Sequence, residues 1–299
     1  MIKKVCVVGA GTMGNGIAHV FALHSFTVYL LDINTDQLKA GIENIHKNLH
    51  RQRLKGSISE IEEKNAIDHL FPTTEASIAF QNADLVVEAV SENLKIKQTV
   101  FHQADQLCPS DVILASNTSS ISILELARGL TRPENVIGMH FMNPVPLMPL
   151  VEVIKTKHTS SFTLDTVLRT CEIIGKTAVP SNDFPGFVAN RILMPMLNEA
   201  IITLEDGVAG VQEIDDIMRL GMAHQMGPLL LADFIGLDVC HAILEVMQKG
   251  LNSRKYQPAN LLSRLVKEGK LGKKTGEGFY SYSSMKEIPP APKSFDLST

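Results

Sequence analysis

The first part of the chain alternates short apolar runs with longer segments in which apolar residues recur every three or four positions. Short runs rich in β-branched residues predict buried strands, here at 2–8, 26–32, 83–90, 111–116, 135–141 and 150–155. Helical spacing is found at 13–24, 34–55, 92–107 and 161–174, with Asn34 as the N-cap of the second helix. This alternation predicts an α/β fold with a doubly wound, mostly parallel sheet of the Rossmann type.

The pattern changes after DFPGF at 183–187. Residues 187–268 keep the helical period and contain no convincing strand. We therefore predict a sheet domain at 1–182 and a smaller, all-α domain at 183–282. Residues 283–299 are rich in Pro, Ser and Lys, which predicts a disordered tail.

Composition narrows the class of protein only a little. Apolar residues make up 44% and charged residues 20% of the chain, as in ordinary globular proteins. A net charge of -4 argues against a nucleic-acid binder, and no apolar stretch is long enough to span a membrane. Four scattered cysteines indicate buried thiols, and no histidine lies in a metal-ligand pattern. We expect a cytoplasmic protein without a metal, although a mature organellar form stays possible.

A glycine motif follows the first predicted strand and opens the first helix. Gly9, Gly11 and Gly14 form G-x-G-x-x-G, in which the glycines allow a tight turn and close approach of a pyrophosphate. Thr12 and Met13 begin the helix, whose free N–H groups attract phosphate. The motif predicts a dinucleotide site at these residues, and a glycine-rich turn without a ligand is the alternative.

Asp32 ends the second predicted strand, 18 residues after Gly14. A carboxylate at this place accepts hydrogen bonds from a ribose 2′-OH and repels a 2′-phosphate. The next residues are Ile33 and Asn34, so no arginine is available for NADP. The first domain is therefore predicted to bind NAD.

The stretch HFMNPVPLMPLVE places a histidine and a glutamate at the two ends of an apolar connector. His140 ends one predicted strand, and Glu152 lies in the next. The three prolines between them restrict the backbone, so the two side chains could face each other at low entropic cost. A carboxylate beside an imidazole fixes its tautomer and raises its basicity, which would make His140 a general base.

Seven segments carry a larger pattern: GAGTMGNGIA, VVEAVSENLKIK, ASNTSS, GMHFMNPVPLMPLVEVI, DFPGFVANRIL, MGPLLLADFIGLD and GKKTGEGFY. In this order they resemble the short-chain L-3-hydroxyacyl-CoA dehydrogenase family, and its bacterial 3-hydroxybutyryl-CoA dehydrogenases in particular. The resemblance runs from residue 5 to about residue 280. Several motifs in the family's order are more specific than any one of them.

The resemblance implies roles for individual residues. His140 would take the proton from the 3-hydroxyl group of the substrate while hydride leaves C3 for the nicotinamide, and Glu152 would orient His140. Ser119 would bind the substrate oxygen near the nicotinamide, and Asn190 would also hold the substrate. Further implied contacts with the cofactor are Glu92, Lys97 and Lys274. The resemblance also implies a short acyl-CoA substrate, a homodimer formed through the helical domain, and a place in fatty acid and butanoate metabolism.

One helix face is basic in an otherwise acidic chain. Lys47, Arg51 and Lys55 recur at a spacing of four residues. In the family this helix meets the coenzyme A nucleotide, so Arg51 and Lys55 are candidate contacts for its phosphates. The family has serine and lysine where this chain has Ile45 and Gln52. A basic face that is only solvated is the alternative.

The other site residues also have plain structural interpretations. His140 alone would be a structural histidine, and Asn190 a residue of a surface helix that contains Pro195. Ser119 would cap a helix, unless Ser120 or Ser122 does so. Two rival functions stay open: an enzyme of the same domain plan that oxidises free 3-hydroxy acids or sugar acids, and a binding protein that keeps the fold without turnover.

Overall fold

The computed structural model describes residues 2–282, and the predicted tail at 283–299 lies outside this range. Within it the chain divides into two compact units, the first of which ends at Phe187 and the second of which begins at Val188. None of the helices in the described range is long and apolar enough to cross a bilayer.

The first unit is built on one eight-stranded sheet with the order β3-β2-β1-β4-β5-β6-β7-β8. Every neighbouring pair is parallel except β6 and β7, which are antiparallel. The predicted α/β class and mostly parallel, doubly wound sheet are thus confirmed. The strands are β1 Lys4–Val8, β2 Thr27–Leu31, β3 Leu70–Thr73, β4 Leu85–Glu88, β5 Ile113–Ser116, β6 Val136–Phe141, β7 Leu150–Lys155 and β8 Thr177–Asn182.

Helices cover both faces of this sheet, which explains why its central strands are continuous apolar runs. In β1, Val5 and Val7 join a core with α1, α2, α3 and α7, whereas Cys6 and Val8 join a second core with α4, α5 and α6. The helices are α1 Thr12–Leu23, α2 Thr35–Leu54, α3 Glu60–Asp68, α4 Ala76–Gln81, α5 Leu94–Leu107, α6 Ile123–Leu126 and α7 Ser161–Ile173.

The sequence pattern missed both edge strands, β3 and β8. Each contains a proline, Pro72 or Pro180, and most of their residues are exposed or half-buried. Proline cannot donate to the sheet ladder, so it is tolerated at an edge and lowers the strand signal. The short helices α3 and α4 were also missed, although Ser59 and Glu62 form a capping box for α3.

The second unit is helical, as its periodicity predicted. Its helices are α8 Ala189–Glu205, α9 Val211–Asp216, α10 Pro228–Ile235, α11 Leu237–Leu251 and α12 Asn260–Lys267, with a π-helical turn at Ile217–Gly221. They bury one apolar core of their own, which also includes Phe279, Tyr280 and Tyr282. Pro195 lies inside α8.

Two buried aspartates hold the last described residues against this core. Asp233 accepts hydrogen bonds from the backbone N–H groups of Phe279 and Tyr280, both at 2.9 Å, and from the Tyr282 hydroxyl at 3.0 Å. Asp215 accepts from the Tyr280 hydroxyl at 2.8 Å and from two N–H groups at the start of α10. Burial raises the pKa of Asp233 to about 6 and also raises the pKa of Asp215.

Candidate active site

The glycine turn lies between β1 and α1. Gly9 has a φ of +100°, which a side chain rarely allows, and a Cβ on Gly14 would lie 1.7 Å from the carbonyl oxygen of Gly9. A Cβ on Gly11 would meet nothing within 4 Å, so there is open space beside it. Gly11 is the N-cap of α1, and no side chain caps this end of the helix. Thr12 and Met13 form the first turn. The turn therefore fits a pyrophosphate bound to backbone N–H groups.

Asp32 lies beside this turn, directly after β2. Its carboxylate accepts hydrogen bonds from the N–H groups of Ala10 at 2.8 Å and Asn34 at 2.9 Å. The side chain of Asn34, not that of Asp32, caps α2. The carboxylate is thus fixed next to the glycine turn, at the position where a ribose would follow the pyrophosphate.

His140 and Glu152 are directly opposite each other in the antiparallel pair of β6 and β7. Opposite residues in such a pair have their side chains on the same face, within reach of each other. The Nδ1 atom of His140 lies 3.1 Å from Oε2 of Glu152, and the two residues are only 7% and 4% exposed. An ionised carboxylate can only accept, so Nδ1 donates the hydrogen and Nε2 keeps a lone pair. The strand ladder brings them together more directly than the connector's prolines do.

The connector between these strands is fixed by residues that the sequence did not single out. Lys176 is buried, and its Nζ donates to the carbonyl oxygens of Val145 at 2.6 Å and Met148 at 2.8 Å. Burial lowers the pKa of this lysine. Asn117 accepts a hydrogen bond from the N–H of Phe141 at 2.9 Å, which ties the end of β5 to the residue after His140.

A buried ion pair lies at the carboxyl end of β4. Glu88 is fully buried and accepts from Nζ of Lys97 at 2.7 Å and from the Ser116 hydroxyl at 2.6 Å. Burial raises the pKa of Glu88, and Lys97 opposes this change. The ammonium of Lys97 also lies 3.2 Å from the carboxylate of Glu92. Glu88 was missed by the sequence analysis, although an acid inside the apolar run ADLVVEAV was a usable signal.

Glu92 organises the turn that carries Ser119. Its Oε1 accepts from the Thr118 hydroxyl at 2.6 Å and from the N–H of Ser119 at 2.9 Å. Burial would raise the pKa of Glu92, but Lys97 and these hydrogen bonds hold it below the usual value. Ser122 accepts from the N–H of Glu125 as the N-cap of α6, so Ser119 does not cap this helix.

The candidate residues of the first unit follow the carboxyl edge of the sheet in the order of the strands. Asp32 follows β2, the glycine turn follows β1, Glu92 follows β4, Ser119 follows β5, and His140 lies near the end of β6. Neighbouring strands are about 4.8 Å apart, so β1 and β6 are separated by roughly 14 Å. This row suits an extended ligand whose phosphates lie at β1 and whose reactive end lies toward β5 and β6.

The basic face of α2 is open to solvent. Lys47, Arg51 and Lys55 are exposed, and none has an ion-pair partner within residues 2–282. Arg53 instead pairs with Glu63 of α3. Gln52 is bonded to His19 at 3.2 Å. Three basic side chains toward the C-terminal end of this helix are thus exposed and without an ion-pair partner among the described residues.

Two predicted site residues lie in the second unit. Asn190 is buried in the first turn of α8, 7% exposed. Lys274 is half exposed and pairs with Asp238 through its Nζ. In the part of the chain that the structure describes, no group of three or more His, Cys, Asp or Glu could hold a metal ion.

Comparison with known proteins assigns the chain to a family. Residues 4–184 match the model described as 3-hydroxyacyl-CoA dehydrogenase, NAD binding domain, and residues 186–282 match that family's C-terminal domain. The probable 3-hydroxybutyryl-CoA dehydrogenase of Bacillus subtilis is 50% identical over 94% of this chain and 98% of its own length. The mitochondrial hydroxyacyl-coenzyme A dehydrogenase of Homo sapiens is 40% identical over 94% and 92%.

A solved structure agrees with these relatives. The crystal structure of (S)-3-hydroxybutyryl-CoA dehydrogenase from Ralstonia eutropha is 42% identical and superposes with a TM-score of 0.92, covering 95% of this chain and 100% of the other. The glycine turn, with open space beside Gly11 and a carboxylate at Asp32, is the form that NAD requires. The chain is an NAD-dependent dehydrogenase and belongs to the 3-hydroxyacyl-CoA dehydrogenase family.

Proposed function

We propose that this enzyme interconverts short-chain (S)-3-hydroxyacyl-CoA and 3-oxoacyl-CoA. The observation that carries the proposal is the 3.1 Å contact between His140 and Glu152 at the sheet edge that also holds the glycine turn. Names of relatives support the substrate class, since those from Bradyrhizobium diazoefficiens and Clostridioides difficile are 3-hydroxybutyryl-CoA dehydrogenases.

In this proposal His140 moves the proton and Glu152 stabilises the charge that results. Nε2 of His140 accepts the proton of the 3-hydroxyl group during oxidation and returns it to the carbonyl oxygen during reduction. Glu152 keeps the imidazole in the required tautomer and offsets the positive charge of the imidazolium. NAD, when bound, supplies the hydride acceptor. Ser119 binds the substrate oxygen near the nicotinamide, and Asn190 also holds the substrate.

The proposed cofactor contacts follow the row of residues along the sheet edge. The backbone of Gly9, Gly11 and Gly14, with Thr12 and Met13, holds the pyrophosphate, and Asp32 binds the adenosine ribose. Four further residues, Glu92, Lys97, Ser119 and Lys274, complete the proposed set. The ion pairs of Lys97 with Glu88 and Glu92 support an indirect part for this lysine, since its side chain is only 1% exposed.

The substrate class is tested by NADH oxidation with acetoacetyl-CoA, longer 3-oxoacyl-CoA thioesters and free acetoacetate. We expect the highest kcat/KM with acetoacetyl-CoA and a steep fall with free acetoacetate, because the thioester is held by its coenzyme A part. NADPH should be a poor substitute, because Asp32 repels a 2′-phosphate. Equal activity with free acetoacetate would support the rival enzyme class, and no turnover of any of these compounds would support the binding protein.

We also propose that Arg51 and Lys55 bind the phosphates of coenzyme A. Arg51 lies in the last turn of α2, and Lys55 is the C-cap residue of this helix. Both are exposed and have no ion-pair partner in residues 2–282, so their charge is available to an anion. Reversing both charges (Arg51→Glu, Lys55→Glu) should raise KM for acetoacetyl-CoA about tenfold or more and leave KM for NADH unchanged. Lys249→Glu, on an exposed position of α11, is the matched control. An unchanged KM for acetoacetyl-CoA would mean that this basic face is only solvated and does not bind coenzyme A.

We propose that two copies pair through the helical unit. Exposed apolar residues support this, namely Val208, Ile217, Leu220 and Met222, which are 60–73% exposed. Sedimentation velocity should give a single species of twice the chain mass, and Leu220→Asp should shift it toward the monomer, whereas Ile61→Asp on α3 should not. The family resemblance further supports a cytoplasmic enzyme of fatty acid and butanoate metabolism.

A further inference from the structure

The last residue of the first unit has an unusual backbone. Phe187 has a φ of +49°, and Gly186 before it has a φ of +80°. Glycine adopts such left-handed values without strain, but a bulky aromatic residue rarely does. A residue held in this conformation points to a requirement for its side chain in one place.

The segment before Phe187 is tied to the sheet unit. The carboxylate of Asp183 accepts from the Ser122 hydroxyl at 2.7 Å and from the N–H of Leu124 at 2.8 Å. The N–H of Asp183 donates to the carbonyl oxygen of Lys155 at 3.0 Å, and that of Phe187 donates to Phe184 at 2.8 Å. These bonds close a tight turn and fix where the Phe187 side chain enters the core.

The ring of Phe187 lies against His140. It is 3% exposed, and its centroid is 6.1 Å from the centroid of the imidazole, with the planes inclined at 56°. Glu152 fixes Nδ1 of His140, but one hydrogen bond leaves the imidazole free to tilt about that contact. A rigid ring beside the imidazole removes this freedom and keeps water from it.

We propose that Phe187 is a positioning residue that sets the orientation of the His140 imidazole. The inference rests on the proposed role of His140. Simple filling of the core does not account for the position, because Phe80 of α4 and Phe101 of α5 fill the same core from ordinary helical backbone. Only a side chain that must meet the imidazole from this turn requires a left-handed aromatic residue.

The experiment compares Phe187→Leu, which loses the ring, with Phe187→Tyr, which keeps it. Phe80→Leu is the matched control, since it makes the same change elsewhere in the same core. We expect Phe187→Leu to lower kcat for acetoacetyl-CoA roughly tenfold or more, because a small misplacement of a catalytic group is costly, with little change in KM for NADH. Phe187→Tyr and Phe80→Leu should stay near the wild-type kcat.

A second readout needs no substrate or cofactor. The imidazole C–H signals of His140, assigned in the NMR spectrum by their loss in His140→Gln, should move in Phe187→Leu and stay in place in Phe80→Leu. If Phe187→Leu does not fold, Phe187→Met is judged by the same criteria.

Two results would overturn the inference: a kcat within about twofold of wild type, or His140 signals that do not move. Activity retained by His140→Gln would instead overturn the proposed role of His140. An inactive His140→Gln together with an active Phe187→Leu would remove only the role of Phe187.

Discussion

The two units of this enzyme treat their buried carboxylates in different ways. In the first unit, Glu88 contacts the ammonium of Lys97 and Glu152 contacts the imidazole of His140. In the second unit, Asp215 and Asp233 receive only N–H and O–H donors, and neither has an ion-pair partner among the described residues. All four side chains are at most 5% exposed.

The difference separates two kinds of buried acid. A carboxylate beside an ionisable base can stabilise a positive charge on that base. A carboxylate among neutral donors ties distant backbone segments together, but its own charge stays uncompensated by a cation. Burial alone therefore does not tell these two kinds of acid apart, whereas the chemistry of the partner does.

The largest effect is expected from removing the imidazole. His140→Gln should lower kcat about 10²–10⁴-fold, the usual contribution of general acid–base catalysis. KM for NADH should change little, because the glycine turn is three strands away. Steady-state kinetics measure both kcat and KM. A variant with most of the wild-type kcat would end the distinction drawn above.

The second-largest effect is expected from breaking the ion pair between Glu88 and Lys97, which should reduce stability. Glu88→Gln leaves the buried charge of Lys97 with Glu92 alone and should lower the free energy of unfolding by about 3–5 kcal/mol. The double variant Glu88→Gln with Lys97→Met removes that charge and should recover part of the loss. Urea unfolding measures the free energy of unfolding of the two variants. If both lose the same amount, Glu88 does not stabilise the protein by pairing with Lys97.

Asp233, which has no cation partner among the described residues, predicts that the stability of the protein falls as pH rises. Its pKa is raised to about 6 in the folded protein, against about 3.9 when unfolded. Between these values the folded state holds more protons, so its stability should fall by about 2 kcal/mol as pH rises from 4 to 6. The contribution is complete below this window and lost above it. The free energy of unfolding, measured by urea titration at each pH, should fall through this window more in the wild type than in Asp233→Asn. Parallel pH curves for the two proteins would contradict the prediction.

A single donor to Asp233 should have the smallest effect. Tyr282→Phe removes the hydroxyl at 3.0 Å and leaves two N–H donors, which should cost roughly 1.5 kcal/mol. It should also raise the pKa of Asp233, since one bond to its charged form is lost. Urea unfolding at pH 7 measures the first effect. No loss of stability would show that the backbone donors suffice.

The sequence predicted what depends on local pattern. Central strands could be found because both of their faces are buried, so most of their residues are apolar, whereas the proline-containing edge strands lacked this signal. His140 and Glu152 could be found because they interrupt apolar runs on either side of one connector. The confirmed NAD cofactor followed in the same way from the glycine motif and Asp32.

The rest depends on partners far apart in the chain. Asp233 bonds to residues 46 to 49 positions later, and the contact of Phe187 with His140 joins a turn to a strand 47 positions earlier. Such pairs produce no periodic pattern of apolar and polar residues in the sequence. The bonds of Lys176 to two carbonyl oxygens could not be predicted either, because every residue has a backbone carbonyl and the sequence does not show which ones accept.

The antiparallel ladder between β6 and β7 has one more consequence. Because side chains alternate between faces, a slip of β7 by a single residue would send Glu152 to the opposite side of the sheet from His140. The loop between the strands can vary in length without this penalty, provided that the pairing is kept. The contact between His140 and Glu152 therefore depends on which residues of the two strands face the same side of the sheet. The loop between the strands can change without breaking this contact, whereas the insertion of one residue into the ladder would break it.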